Sequence, residues 1–148
     1  MCLDELFQAK LIIEAVIEDL KIKQELFCRM DSVLESGTIL STNTSSLDLS
    51  KIGTNLKRTE RFVGMHFFNP VPVMALVEII HTAETDPSVT EFVFQLAKKW
   101  GKVPVHVRNS PGFIVNRAAR PFYLEALRIL TDGATDAATC DAIFRDCG

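Results

Sequence analysis

The sequence predicts an α/β fold: a mostly parallel sheet followed by a mostly helical C-terminal segment. Three observations carry this. Short apolar, β-branched runs alternate with stretches of helical periodicity as far as residue 108. Those runs are apolar at successive positions, as in strands covered on both faces. After Asn109-Ser110-Pro111-Gly112 the strand-like runs stop and only helical periodicity remains.

Taken in order, residues 11–16 (LIIEAV) read as a buried strand. Residues 18–35 read as a helix, with Ile22, Leu26, Met30 and Val33/Leu34 as the apolar stripe and Gly37 as the stop. Residues 38–42 are β-branched and read as a strand. They run into Asn43-Thr44-Ser45-Ser46, where Ser45 and Asp48 resemble a capping box opening a short helix. Residues 62–68 form the next strand, which ends at Asn69-Pro70 because proline cannot donate to a central ladder. Residues 76–80 form another. Asp86-Pro87 caps and opens a helix with Val89, Phe92, Val93, Leu96, Ala97 and Trp100 on one face, closed by Gly101. Residues 103–107 are a weaker strand, placed at an edge by Pro104. Residues 113–130 read as a helix kinked at Pro121, and 136–145 as a second helix. A domain boundary is placed near Asn109, giving residues 1–108 and 109–148.

Hydrophobic residues make up 47% and charged residues 24%, a balance that excludes disorder, collagen and coiled coil. The net charge of −3 makes nucleic acid an unsuitable main partner. The uncharged stretch 62–77 is broken by Asn69, Pro70 and Pro72 and is too short to span a bilayer, so no membrane partner is expected. The first ten residues lack a basic region leading into an apolar core, so no signal peptide is expected. The four cysteines (Cys2, Cys28, Cys140, Cys147) form no CxxC pair and the three histidines stand apart, so no metal site is expected. Idle thiols fit a reducing compartment: the cytoplasm, or the mitochondrial matrix of a eukaryote.

In open α/β sheets ligands bind beyond the carboxyl ends of the strands. Two polar clusters lie there: residues 41–46, and His66 with Asn69. Histidine exchanges a proton near neutral pH, so His66 is a candidate general base, against the alternative of a hydrogen-bonded core histidine. Glu78 interrupts an apolar strand, and a buried carboxylate costs several kcal/mol unless something pairs with it. Consecutive strands are usually neighbours, so a Glu78–His66 pair is expected. It would fix the imidazole's tautomer, as a general base needs. Glu14 poses the same puzzle without an evident partner. His81 and His106 read as solvated, and Asn116 and Arg117 as surface or capping residues. No GxG pair occurs, so the sequence has no glycine-rich loop to cradle a pyrophosphate.

The segments His66-Phe67-Phe68-Asn69-Pro70-Val71-Pro72-Val73-Met74 and Leu76-Val77-Glu78 resemble the L-3-hydroxyacyl-CoA dehydrogenase family. So do Ile13-Glu14-Ala15-Val16 with Glu18 and Lys23, the 41–46 cluster, and Asn109-Ser110-Pro111-Gly112-Phe113-Ile114-Val115-Asn116-Arg117. The resemblance implies the second half of a Rossmann-like sheet followed by the start of an all-α C-terminal domain. It implies NAD-dependent oxidation of a 3-hydroxyacyl-CoA, with an acyl-CoA substrate and a homodimer in the full-length protein. His66 would be the base and Glu78 its orienting partner. Ser45 and Asn116 would hydrogen-bond the substrate and complete the catalytic set. Glu18, Lys23, Ser45 and Asn69 match positions used around the cofactor.

Two departures stand out: Ala75 where many relatives carry lysine, and Lys10 where an acid is common. The family's GxGxxG unit would lie upstream of Leu11, so the chain reads as a fragment. Its 11–16 strand is then expected to present an apolar edge that drives association. The alternative reading is a truncated or partner-dependent module with no turnover of its own.

Overall fold

The computed structural model describes residues 6–147. Two compact units divide the chain, Met1–Phe113 and Ile114–Gly148.

The first unit is a five-stranded sheet in sequence order. Its strands are β1 (Leu11–Glu14), β2 (Ile39–Thr42), β3 (Phe62–Phe67), β4 (Leu76–His81) and β5 (Val103–Arg108). The pairs β1–β2, β2–β3 and β4–β5 are parallel, whereas β3–β4 is antiparallel. The connection 68–75 contains no helix, and a parallel return needs a longer crossover, so this pair turns back on itself. β5 is an edge strand, in keeping with Pro104, and β1 is the other edge. Ile13 of β1 is exposed.

Helices cover both faces. α1 (Leu20–Val33) and α2 (Leu49–Ile52) share a core with Leu40, Phe62, Ile80 and Val107. α3 (Pro87–Lys99) packs Val89, Val93 and Ala97 on Ile39, Val63, Met65, Val77 and Ile79. Asp86 caps α3, accepting from the Ser88 amide at 2.7 Å. Of the expected apolar stripe of α1, Met30 and Leu34 are buried and Leu26 packs on the core, but the inward face also includes residues one position on. Lys23, Phe27, Met30 and Asp31 face inward, whereas Ile22 and Val33 are exposed. The reason is that two charged residues occupy inward positions and find partners there. The cap of α2 also differs from expectation. Asp48 accepts from the Ser50 amide at 2.9 Å, because the amides of Ser45 and Ser46 are taken by Glu18.

Gly64 of β3 faces β4 and α2 at close quarters. A Cβ there would stand 3.0 Å from Ile80 Cβ and 3.0 Å from Leu49 Cδ2. Ile80 Cβ is fixed to a strand backbone and cannot swing away, so Gly64→Ala is expected to cost about 1–3 kcal/mol of stability. Urea unfolding checks this; an unchanged midpoint would contradict the packing.

The second unit holds α4 (Val115–Thr131) and α5 (Ala137–Cys147). Pro121 lies inside α4 without ending it. Phe122 of α4 meets Phe144 of α5 at a ring separation of 4.6 Å. Cys28 and Cys140 are free thiols. Cys2 and the side chain of Cys147 lie outside the described residues.

Candidate active site

The alternation of a strand sends every second side chain to one face. On the face covered by α1 and α2 the strands carry apolar residues: Ile12, Leu40 and Phe62 pair across one level of the sheet, and Ile80 and Val107 across the next. Further toward the carboxyl ends of β1 to β3 the same face carries Glu14 and Thr42, on the level of Gly64, and then His66, which pairs with Glu78 of β4. These four side chains are all buried. The site is thus a polar rim in two steps, at the end of the sheet where β1 to β3 finish.

His66 and Glu78 are direct partners in the β3–β4 register. His66 Nδ1 lies 2.7 Å from Glu78 Oε2, with His66 4% and Glu78 0% exposed. Phe68 and Phe113 flank the imidazole, with ring centroids at 4.6 Å and 5.6 Å. With Nδ1 committed to the carboxylate, the neutral ring carries its hydrogen there and keeps a lone pair on Nε2.

Glu14 finds its partner in Lys23. Lys23 Nζ is 2.7 Å from Glu14 Oε1, and both side chains are 1% exposed. Thr42 Oγ1 donates to Glu14 Oε2 at 2.7 Å, and the Val16 amide donates to Oε1. The family resemblance places Lys23 among the cofactor contacts. Here its ammonium is enclosed between Glu14, the Val16 carbonyl at 3.2 Å, and Glu18 Oε2 at 3.5 Å.

Glu18 sits on the rim. Its Oε1 accepts from Thr44 Oγ1 at 2.6 Å, the Ser45 amide at 2.9 Å, and Ser46 through amide and hydroxyl at 3.1 Å each. Burial alone would raise its pKa. The hydrogen bonds from Thr44, Ser45 and Ser46 and the charge of Lys23 outweigh that and hold the carboxyl below its ordinary value. Ser45 is exposed beside it, and Asn69 is exposed just past β3. Asn116 belongs to the second unit, where it opens α4.

Three residues that the sequence names only within the 41–46 cluster or the Asn109 motif organise the rim. Asn43 Oδ1 accepts from the Phe67 amide at 2.8 Å, tying the end of β2 to the strand of His66. Thr42 links Glu14 to the turn. Asn109 accepts from the Leu49 amide at 3.1 Å and donates to Asp48 at 2.6 Å, fixing the start of α2. The available signal was a polar residue closing an apolar strand, which Thr42 shares with Glu14.

His81 departs from expectation. It is half-buried and its Nδ1 has no hydrogen-bond partner among the described residues. Burial first, then the charges of His106 and Arg108, push its pKa down. His106 is exposed, with its ring stacked on Phe94 at 4.2 Å. Among the described residues no group of three or more His, Cys, Asp or Glu could hold a metal ion, and no helix is long and apolar enough to cross a membrane.

Residues 2–110 match the family model described as 3-hydroxyacyl-CoA dehydrogenase, NAD binding domain. The chain is 45% identical over 142 residues to 3-hydroxybutyryl-CoA dehydrogenase of Clostridioides difficile, covering 96% of this chain and 50% of that protein. It is 45% identical over 138 residues to 3-hydroxyadipyl-CoA dehydrogenase of Escherichia coli (strain K12), covering 93% of this chain and 29% of that one. The crystal structure of (S)-3-hydroxybutyryl-CoA dehydrogenase PaaH1 from Ralstonia eutropha superposes with a TM-score of 0.89 at 40% identity, over 92% of this chain and 48% of that one. The chain therefore spans half or less of the length of these relatives.

Proposed function

The chain belongs to the 3-hydroxyacyl-CoA dehydrogenase family, and from that premise we propose that it forms the catalytic part of an NAD-dependent enzyme. That enzyme oxidises (S)-3-hydroxyacyl-CoA to 3-ketoacyl-CoA. The observation that carries the reading is the buried contact of 2.7 Å between His66 Nδ1 and Glu78 Oε2.

His66 Nε2 accepts the proton of the 3-hydroxyl. The charge that then forms on the imidazole faces the Glu78 carboxylate, which no longer has to be brought out of water to meet it. In the reverse direction the same imidazolium returns the proton to the carbonyl oxygen. By the family resemblance, Ser45 and Asn116 would each hydrogen-bond the substrate.

The residues at the rim fit one end of NAD. An exposed carboxylate (Glu18) anchored to a turn, with Ser45 and Asn69 near the ends of β2 and β3, is a donor and acceptor set suited to an amide and ribose hydroxyls. The 148 residues hold no glycine-rich loop for the pyrophosphate. NAD bound there would supply the hydride acceptor for the oxidation. The protein's own part is geometry and proton transfer. Lys23 serves through Glu18 rather than by its own reach, since its side chain is 1% exposed. The reading carries with it a homodimer in the full-length protein and a location in the cytoplasm, or in the mitochondrial matrix of a eukaryote.

The test is NADH consumption by the full-length protein with acetoacetyl-CoA. Turnover is the expected result; none with any 3-ketoacyl-CoA or 3-hydroxyacyl-CoA would overturn the proposal. A second reading concerns the 148 residues taken alone: a module that needs a partner and has no turnover. The absent glycine-rich loop and the exposed Ile13 on the β1 edge favour it. Titrating this polypeptide with NADH and following the cofactor's fluorescence separates the two, because micromolar binding would count against the module.

A further inference from the structure

We propose that Glu14, which takes no part in the chemistry above, is a positioning residue that sets the Ser45 turn through Lys23 and Glu18. The inference rests on the proposed function only for the identity of the ligand at that turn.

The side chains of Glu14 and Lys23 are each 1% exposed. Replacing such a buried ion pair with apolar residues of similar volume is often neutral or stabilising, so stability alone gives no reason for it. Its hydrogen bonding gives one. Glu14 has both oxygens occupied, Oε1 by Lys23 and the Val16 amide and Oε2 by Thr42. Lys23 spends one direction on Glu14 and one on the Val16 carbonyl, and its third faces Glu18 Oε2 at 3.5 Å. Glu18 in turn gathers the Ser45 and Ser46 amides and the Thr44 and Ser46 hydroxyls on its other oxygen.

The line of contact therefore runs from a strand carboxylate to a helix ammonium, to a rim carboxylate, and on to the turn carrying Ser45. Glu14 holds the Lys23 ammonium at 2.7 Å, against 3.5 Å for Glu18, which leaves Glu18 to be held chiefly by the turn. With the Glu14 charge removed, the buried ammonium has one carboxylate left within reach, Glu18. Drawing Glu18 toward Lys23 takes it from the Ser45 and Ser46 amides.

The experiment compares Glu14→Gln with Asp31→Asn in the full-length protein. Asp31 is an equally apt control: a buried acid whose partner, Arg58 at 2.7 Å, lies away from the rim. Glu14→Gln is expected to speed amide hydrogen exchange in residues 44–46 by about tenfold. It is also expected to raise the NADH dissociation constant and the KM for NAD by about tenfold, with kcat held within about threefold. Asp31→Asn is expected to lower the melting temperature while leaving exchange at 44–46 and NADH affinity unmoved. Should Glu14→Gln fail to fold, Glu14→Asp keeps the charge but withdraws it from Lys23, and the same changes at about threefold are expected.

Equal exchange at 44–46 in wild type and the Glu14 variants, or the same increase in Asp31→Asn, would overturn the proposal. The exchange arm needs no ligand, so it decides the matter even in a protein that binds no NADH. Absent NADH binding in wild type would count against the proposed function instead.

Discussion

Replacing His66 by glutamine in the full-length protein is expected to lower kcat for acetoacetyl-CoA reduction by about 10²–10⁴ while the protein stays folded. Glutamine keeps a donor for Glu78 and most of the ring's volume, but it has no group that exchanges a proton near neutral pH. Alanine would lose the same activity at an added cost. It leaves Glu78, which is 0% exposed, as a buried charge without the imidazole, and losing one member of a buried pair costs about 3–5 kcal/mol. It also opens a void between Phe68 and Phe113. The two variants thus separate chemistry from packing: equal loss of kcat, unequal loss of stability. Steady-state kinetics and thermal unfolding on both check this. A kcat within threefold of wild type in His66→Gln would refute the assignment of the base.

The second large effect is expected at Glu78, a positioning residue that acts through His66. Glu78→Gln keeps shape and burial but removes the charge. It also lets the side chain donate to Nδ1, which moves the ring hydrogen to Nε2. A ring protonated on Nε2 cannot accept the substrate's proton. We expect kcat to fall by about 10²–10⁴, with KM values changed by no more than about threefold. Nitrogen NMR of the His66 ring gives a readout that a purely structural role would not move: hydrogen on Nδ1 in wild type, shifted toward Nε2 in the variant. Unchanged kcat with an unchanged tautomer would show that Glu78 serves packing alone.

Much of this arrangement was legible in the sequence because it is written in local anomalies. Glu78 breaks an apolar run, and the neighbouring strand supplies the one imidazole in register with it. Strand ends, the Asp86 cap and the edge position of β5 follow from residue chemistry acting within a few positions. What escaped was the partner of Glu14. Reading α1 from its apolar residues alone puts Lys23 outside. Lys23, Phe27 and Met30 in fact follow one another at helical spacing, so the lysine was the marker of a buried charge. The antiparallel turn of β4 was open to reading as well, since residues 68–75 are too few for a crossover. The Ser45 cap failed for a physical reason of another kind. Its amide and that of Ser46 go to Glu18, 27 and 28 residues away, and such competition is invisible to a local motif.

The antiparallel return from β3 to β4 has one more consequence. The base and its orienting acid are 12 residues apart on a single hairpin, so bringing them together requires closing only a short loop. The pairing itself lies within this stretch, with Asn43 bracing the end of β3 from outside it. Acid–base competence is in this sense a local inheritance of the hairpin, transmissible as one contiguous stretch.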